Sequence, residues 1–234
     1  CVSNGIAEEI SCMMNHSEKI KVIYNPVADY KILEMAKKRV DHPWFLDLKI
    51  PVILMVGRLS KTKDQPTLFK ALSIIIKKQP ARLIVIGDGT EKIKLVKLIH
   101  QMNLSENIVF LGFQDNPYKY MKRASVFVLS SLQEGFGNVI VEAMMCGTPV
   151  VATNCKSGPS EIIQDGINGL LVPPQDERVL ANAILKILDN PNLAKKFSIE
   201  GKKRAEFFSV KKSVKEYEQI FQTLINNSSN EKNN

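Results

Sequence analysis

Short apolar runs bounded by glycine or polar residues alternate along this chain with longer stretches in which apolar positions recur every three or four residues. Residues 51–56, 82–86, 107–111, 126–129 and 149–152 are of the first kind and predict buried strands, and 169–172 predicts a shorter one. Residues 65–78, with Pro66 in the first turn, and 91–102, 138–145, 177–188, 193–207 and 210–225 are of the second kind and predict helices. Strands alternating with helices form right-handed crossovers, so the expected fold class is α/β: a Rossmann-like parallel sheet with helices on both faces. Ligands of such sheets bind beyond the carboxyl ends of the strands. Before this body, Ser3 precedes a helical pattern over 2–14, and 19–25 predicts a short strand ending at Pro26. A helical segment and a polar connection fill 29–49, where Trp44 and Phe45 read as an apolar anchor. The last nine residues, NNSSNEKNN, hold too little apolar surface to order themselves.

The loops at the strand ends carry the candidate chemistry. In SSLQEGFGNVIVEAMMCG, residues 130–147, a strand passes through a glycine loop into a helix starting near Asn138. Such a start leaves the N–H groups of Gly137, Asn138 and Val139 without intrahelical partners and adds a partial positive charge, which suits a phosphate. Gly135 and Gly137 allow the backbone a close approach. Glu142 sits among Val139, Ile140, Val141, Ala143 and Met144, where an ionised carboxylate without partners would be driven to protonate. The adjacent hydroxyls of a ribose would satisfy it. Glu134 stands eight positions earlier, a spacing that two unrelated glutamates also produce by chance. After the first strand, Arg58 and Lys63 read either as an ordinary charged loop or as a fork and a mobile point charge for a diphosphate. Gly87-Asp88-Gly89 is followed by Lys92 where a dinucleotide fingerprint needs a small residue, which disfavours NAD and leaves a tight turn. Gly158 and Pro159 likewise fix a turn, with Ser157 beside it.

The run EGFGNVIVEAMMCGTPVVAT resembles the donor-site signature of the retaining glycosyltransferases of family four, whose GT-B architecture faces two Rossmann-like domains across a cleft. The resemblance extends from Val2 to about Ile225, and includes the GR…K pattern at Arg58 and Lys63, the HPWF run at 42–45 and the SGP-E segment at 157–161. It implies transfer of a sugar with retention from a nucleotide sugar, UDP-linked, to a saccharide or lipid-linked acceptor, without a metal cofactor. By position, Glu134 then lies beside the donor sugar, Glu142 binds the ribose and Arg58 and Lys63 bind the diphosphate, with Phe136, Gly137, Asn138 and Val139 around it. Val109 and Leu111 are the nearest matches to the backbone that holds the base, and Lys61 falls off the motif. Glu134, Arg58 and Lys63 form the implied catalytic set. The resemblance also makes 1–28 the tail of an N-terminal domain and its entry strand, 29–209 the nucleotide-sugar-binding domain, 210–225 a closing helix and 226–234 an unordered tail. A GT-B epimerase and a non-catalytic nucleotide-binding module remain as alternatives, since the facing domain is not in this chain.

Composition changes little. The net charge of +8 is concentrated between Lys195 and Lys215, which reads either as a solvated helical face or as contact with anionic lipid head groups. No base-reading motif accompanies it, so nucleic acid is not an expected partner. The four cysteines lack metal or redox spacing and read as reduced thiols of a cytoplasmic protein, with Cys146 in the core. Neither an apolar run long enough to span a membrane nor a signal peptide is visible, and His16, His42 and His100 lie outside the motifs.

Overall fold

A computed structural model describes residues 1–14, 20–47 and 49–231, with side chains up to 226. Its centre is a parallel sheet of six strands: β1 (Val52–Val56), β2 (Arg82–Ile86), β3 (Ile108–Phe110), β4 (Val126–Leu129), β5 (Val150–Thr153) and β6 (Leu170–Val172). They lie in the order β3-β2-β1-β4-β5-β6. The chain steps outward from β1 to β3 and then returns to β1's other side, where Ile53 pairs with Val126. The switch point between β1 and β4 is therefore the expected binding crevice.

Each strand is apolar on both sides because helices cover both faces. Ile53 and Met55 face α3 (Gln65–Ile75), α4 (Lys92–Gln101) and α8 (Glu177–Leu188) through Leu68, Leu72, Leu95, Ile99, Leu180 and Ile184. Their neighbours Val52 and Leu54 face the opposite layer, built from α2 (Tyr30–Ala36), α5 (Tyr118–Met121), α6 (Asn138–Met145) and α7 (Pro159–Ile162). Phe45 is buried in that layer, and Trp44 receives the Arg82 guanidinium 5.4 Å from its ring centre. Cys146 is buried there too, its thiol pushed up to about 12 by burial, and the four cysteines are free.

The ends of the chain differ from expectation. α1 (Asn4–Met13) forms with Ser3 as its cap, as its polar start predicts. The segment 20–26, however, is extended without joining a ladder; Ile23 N–H bonds to Cys1 O and Tyr24 packs its ring on Phe136 and Phe208, while Lys19 and His16 lie outside the described residues. A strand needs a partner edge, and here one bridge, Ala28 to Ser209, forms instead. After α9 (Pro191–Glu206), α10 (Val210–Glu231) runs past Ile225 into the segment expected to be an unordered tail. No Gly or Pro interrupts that segment, so the backbone can go on closing its i to i−4 bonds; residues 232–234 lie outside the described part. In the basic stretch, Lys196 donates to Gly166 O, Lys203 to Glu200 and Arg204 to Ile162 O, so these cations are engaged within the chain. No described helix is long and apolar enough to cross a membrane.

Candidate functional site

At the carboxyl end of β1 the loop carrying Arg58 and Lys63 crosses the Gly87-Asp88-Gly89 turn closely. Leu59 N–H bonds to Asp88 O at 3.0 Å, and a Cβ at Gly87 would lie 2.0 Å from Gly57 O. These glycines serve a backbone crossing, in accord with a tight turn. A 3-10 turn over Lys61–Lys63 ends at Asp64, whose φ of 43° is left-handed, and carries Lys63 toward β4. There Leu132 N–H bonds to Thr62 O at 2.8 Å, and the fully buried Ser130 donates its hydroxyl to Lys63 O at 2.9 Å. The two loops are thus one unit, and the Lys63 ammonium meets Glu134 Oε1 in an ion pair. Ser131, also fully buried, donates to the same oxygen at 2.6 Å, while its own carbonyl accepts the Thr153 hydroxyl.

Three neighbouring cavities follow from this join. The first, about 320 Å³, surrounds the start of α6 and is lined by Lys63, Glu134, Phe136, Gly137, Asn138 and Val139. Gly137 caps α6 at φ 97° and no side chain caps the end, so the first-turn N–H groups remain available to an anion. The Phe136 ring is buried against Tyr24 and Phe208 and contributes packing. Its carbonyl abuts Gly158, where a Cβ would come within 2.2 Å of it.

The second cavity, about 550 Å³, shares Asn25 and Asn138 with the first and holds Glu142, Tyr118 and Asp29. Burial pushes the Glu142 carboxyl above the ordinary carboxylate range, and a hydrogen bond from Tyr118 partly offsets this. Tyr118 is itself pushed to about 12 by burial and by the nearby Glu142, so its hydroxyl stays a donor. A third cavity, about 480 Å³, shares Glu134 and Gly135 with the first and is closed by Gln133, Thr62, Ser157 and, from α1, Ile6 and Glu9. Glu161 holds α1 there by accepting the N–H groups of Asn4 at 2.7 Å and Gly5 at 3.2 Å.

The sequence-predicted residues therefore divide. Lys63, Glu134, Phe136, Gly137, Asn138 and Val139 surround one cavity and Glu142 the next. Arg58 is exposed and lines none of the three cavities, and its carbonyl accepts from Gln65 Nε2. Val109 and Leu111 pack half-buried on the layer of α2, α5 and α6, and line none of the three cavities. Tyr118, Ser131, Asn25 and Glu9 were not anticipated. Tyr118 sits on a four-residue helix too short for a periodic signal, Asn25 and Glu9 reach the groove only through tertiary packing, and Ser131, three residues before Glu134 in the same loop, carried no signal of its own beside that carboxylate. A larger cavity of about 760 Å³ lies between α10 and residues 21–24 and holds none of the predicted residues.

The family model described as glycosyl transferases group 1 matches residues 37–204. Among curated proteins, the chain is similar to the N-acetylgalactosamine-N,N'-diacetylbacillosaminyl-diphospho-undecaprenol 4-alpha-N-acetylgalactosaminyltransferase of Campylobacter jejuni, at 35% identity over 82% of this chain and 50% of that protein. It is also similar to the lipopolysaccharide core biosynthesis glycosyltransferase LpsE of Rhizobium meliloti, at 32% identity over 86% of this chain and 56% of that one. Among solved structures, HepE of Anabaena in complex with UDP and glucose aligns with a TM-score of 0.83 and 27% identity, over 97% of this chain and 62% of that one. The chain thus spans about half the length of the curated relatives it matches.

Proposed function

The chain belongs to the group 1 glycosyl transferases, and we propose that it is the donor-binding half of an enzyme that transfers a hexosyl group with retention from a UDP-sugar to a saccharide or lipid-linked acceptor. The observation that carries this reading is the order of the three cavities. Glu142 stands at one end of the groove, Lys63 and the open end of α6 in the middle, and Glu134 at the other end. Nucleoside, diphosphate and sugar follow one another in the same order. HepE, solved with UDP and glucose, supports the donor class, and the Campylobacter enzyme's name supports a lipid-linked acceptor.

In this reading the protein's work is electrostatic. The charge that gathers on the departing diphosphate is met by Lys63, by Arg58 from the same loop and by the α6 N–H groups, the last of which need no reorganisation as the glycosidic bond breaks. Glu134 fixes the sugar's hydroxyls while an oxocarbenium-like centre forms, and the acceptor attacks from the face that the diphosphate leaves. Glu142 and Asn25 hold the nucleoside, and no metal is required to bind the phosphates.

Calorimetry on this chain without divalent cations tests the reading. UDP should bind at least about ten- to a hundredfold more tightly than uridine, since even one charge-assisted bond to the diphosphate is worth a net of about 1.5–3 kcal/mol. Equal affinities would overturn it.

A further inference from the structure

Among the described residues, two side-chain donors to Glu134, the Lys63 ammonium and the Ser131 hydroxyl, converge on one oxygen, Oε1. The Lys63 side chain is 20% exposed and that of Glu134 9%, so the pair is sheltered and costs more to separate than a surface pair. Yet Lys63 also lines the cavity at the open end of α6. An anion seated there competes with Glu134 for the same ammonium. The two donors differ in mobility. A lysine ammonium rides on a flexible stem, whereas Ser131 is fully buried with its carbonyl held by Thr153.

We propose that the Lys63–Glu134 pair is the resting state of the donor site, that the diphosphate draws Lys63 off Oε1, and that Ser131 is the positioning residue that then holds Glu134 toward the sugar. The inference rests on the diphosphate reading of the groove. The pair gives a sheltered carboxylate a charged partner in addition to the neutral Ser131 hydroxyl. Once the ammonium turns to the phosphates, Oε1 keeps one neutral donor, and the carboxylate becomes a stronger acceptor for a sugar hydroxyl. Sugar recognition is thereby made conditional on the diphosphate.

Calorimetry with uridine, UDP and a panel of UDP-hexoses on wild type, Glu134→Gln, Ser131→Ala and the double variant tests this. Glu134→Gln should bind UDP about three- to tenfold more tightly than wild type, with uridine unchanged, because the competing anion is gone. Ser131→Ala should leave UDP affinity unchanged and lose the extra affinity of the best UDP-hexose over UDP. In the double variant that loss should be no greater than in Glu134→Gln alone. Unchanged or weaker UDP binding by Glu134→Gln would overturn the proposal whether or not Ser131→Ala folds. So would a panel in which no UDP-hexose exceeds UDP, or a Ser131→Ala that lowers UDP and UDP-hexose affinity alike. If wild type binds UDP no better than uridine, the diphosphate reading itself fails; if wild type prefers UDP but Glu134→Gln does not sharpen it, the failure is confined to the pair.

Discussion

Glu142 concentrates a conflict between folding and binding in one side chain. Burial raises its carboxyl above the ordinary range, partly offset by the donor that Tyr118 supplies, so burial works against the charged form. Stability from that preference is present at low pH and is lost as pH rises through the raised value. A ribose needs the opposite, an ionised carboxylate with two acceptor oxygens. Uridine, which has no phosphate to titrate, should therefore bind less tightly as pH falls through the raised Glu142 value, and Glu142→Gln should flatten that profile in calorimetry. At neutral pH and above, the Gln variant should melt no lower than wild type, although its UDP affinity drops about ten- to a hundredfold. A variant that melts much lower with unchanged affinity would make Glu142 a structural partner of Tyr118 alone. The sequence made Glu142 legible because a carboxylate inside an apolar helix demands an explanation. It could not reveal Tyr118, whose contribution comes from tertiary placement.

At the scale of elements, apolar runs flanked by polar residues located the strands to within a residue or two, since a strand covered on both faces has no polar alternation to blur it. α6 begins and ends where its pattern does. The segments over 20–26 and 226–231 were misread for one reason: whether an extended stretch finds a partner edge, or a polar one stays helical, is decided by neighbours that sequence periodicity does not contain. The turns on either side of α7 are different, because a glycine with its own task sits in each. Gly158, at φ 87°, lies under the Phe136 carbonyl, and a Cβ would come within 2.2 Å of it, whereas Gly166, at φ 73°, opens onto empty space. Gly166→Ala should therefore cost only its backbone strain, about 1 kcal/mol. Gly158→Ala adds a backbone clash and should cost roughly 2–4 kcal/mol by chemical denaturation. Since the displaced carbonyl adjoins the Gly137 cap, Gly158→Ala should also weaken UDP binding and Gly166→Ala should not. Equal costs for the two would mean that the turn at Gly158 yields freely.

For the whole molecule, the groove has one wall. Its floor is the carboxyl edge of a sheet, and α1, held by Glu161, closes the end beside Glu134. In the proposed reading the residues along it serve the donor, and none of them is assigned to an acceptor. Holding an acceptor against the sugar is worth about 7–11 kcal/mol of barrier where reacting groups are well oriented, and the curated relatives, of which this chain spans about half, have room for a second wall. This chain alone should then bind UDP-sugars while transferring sugar to saccharide or lipid-linked acceptors at a negligible rate. A longer protein carrying it with an acceptor-side domain should transfer with retention. Assays of both forms against a panel of UDP-sugars, with the anomeric configuration of the product read by NMR, distinguish the outcomes. Interconversion of UDP-sugars without an acceptor would point to an epimerase, and inert binding by the longer form to a binding module. Robust transfer by this chain alone would show that the donor half already holds the acceptor, and the search for the second wall would turn to α1, where Ile6 and Glu9 face Glu134 across the third cavity.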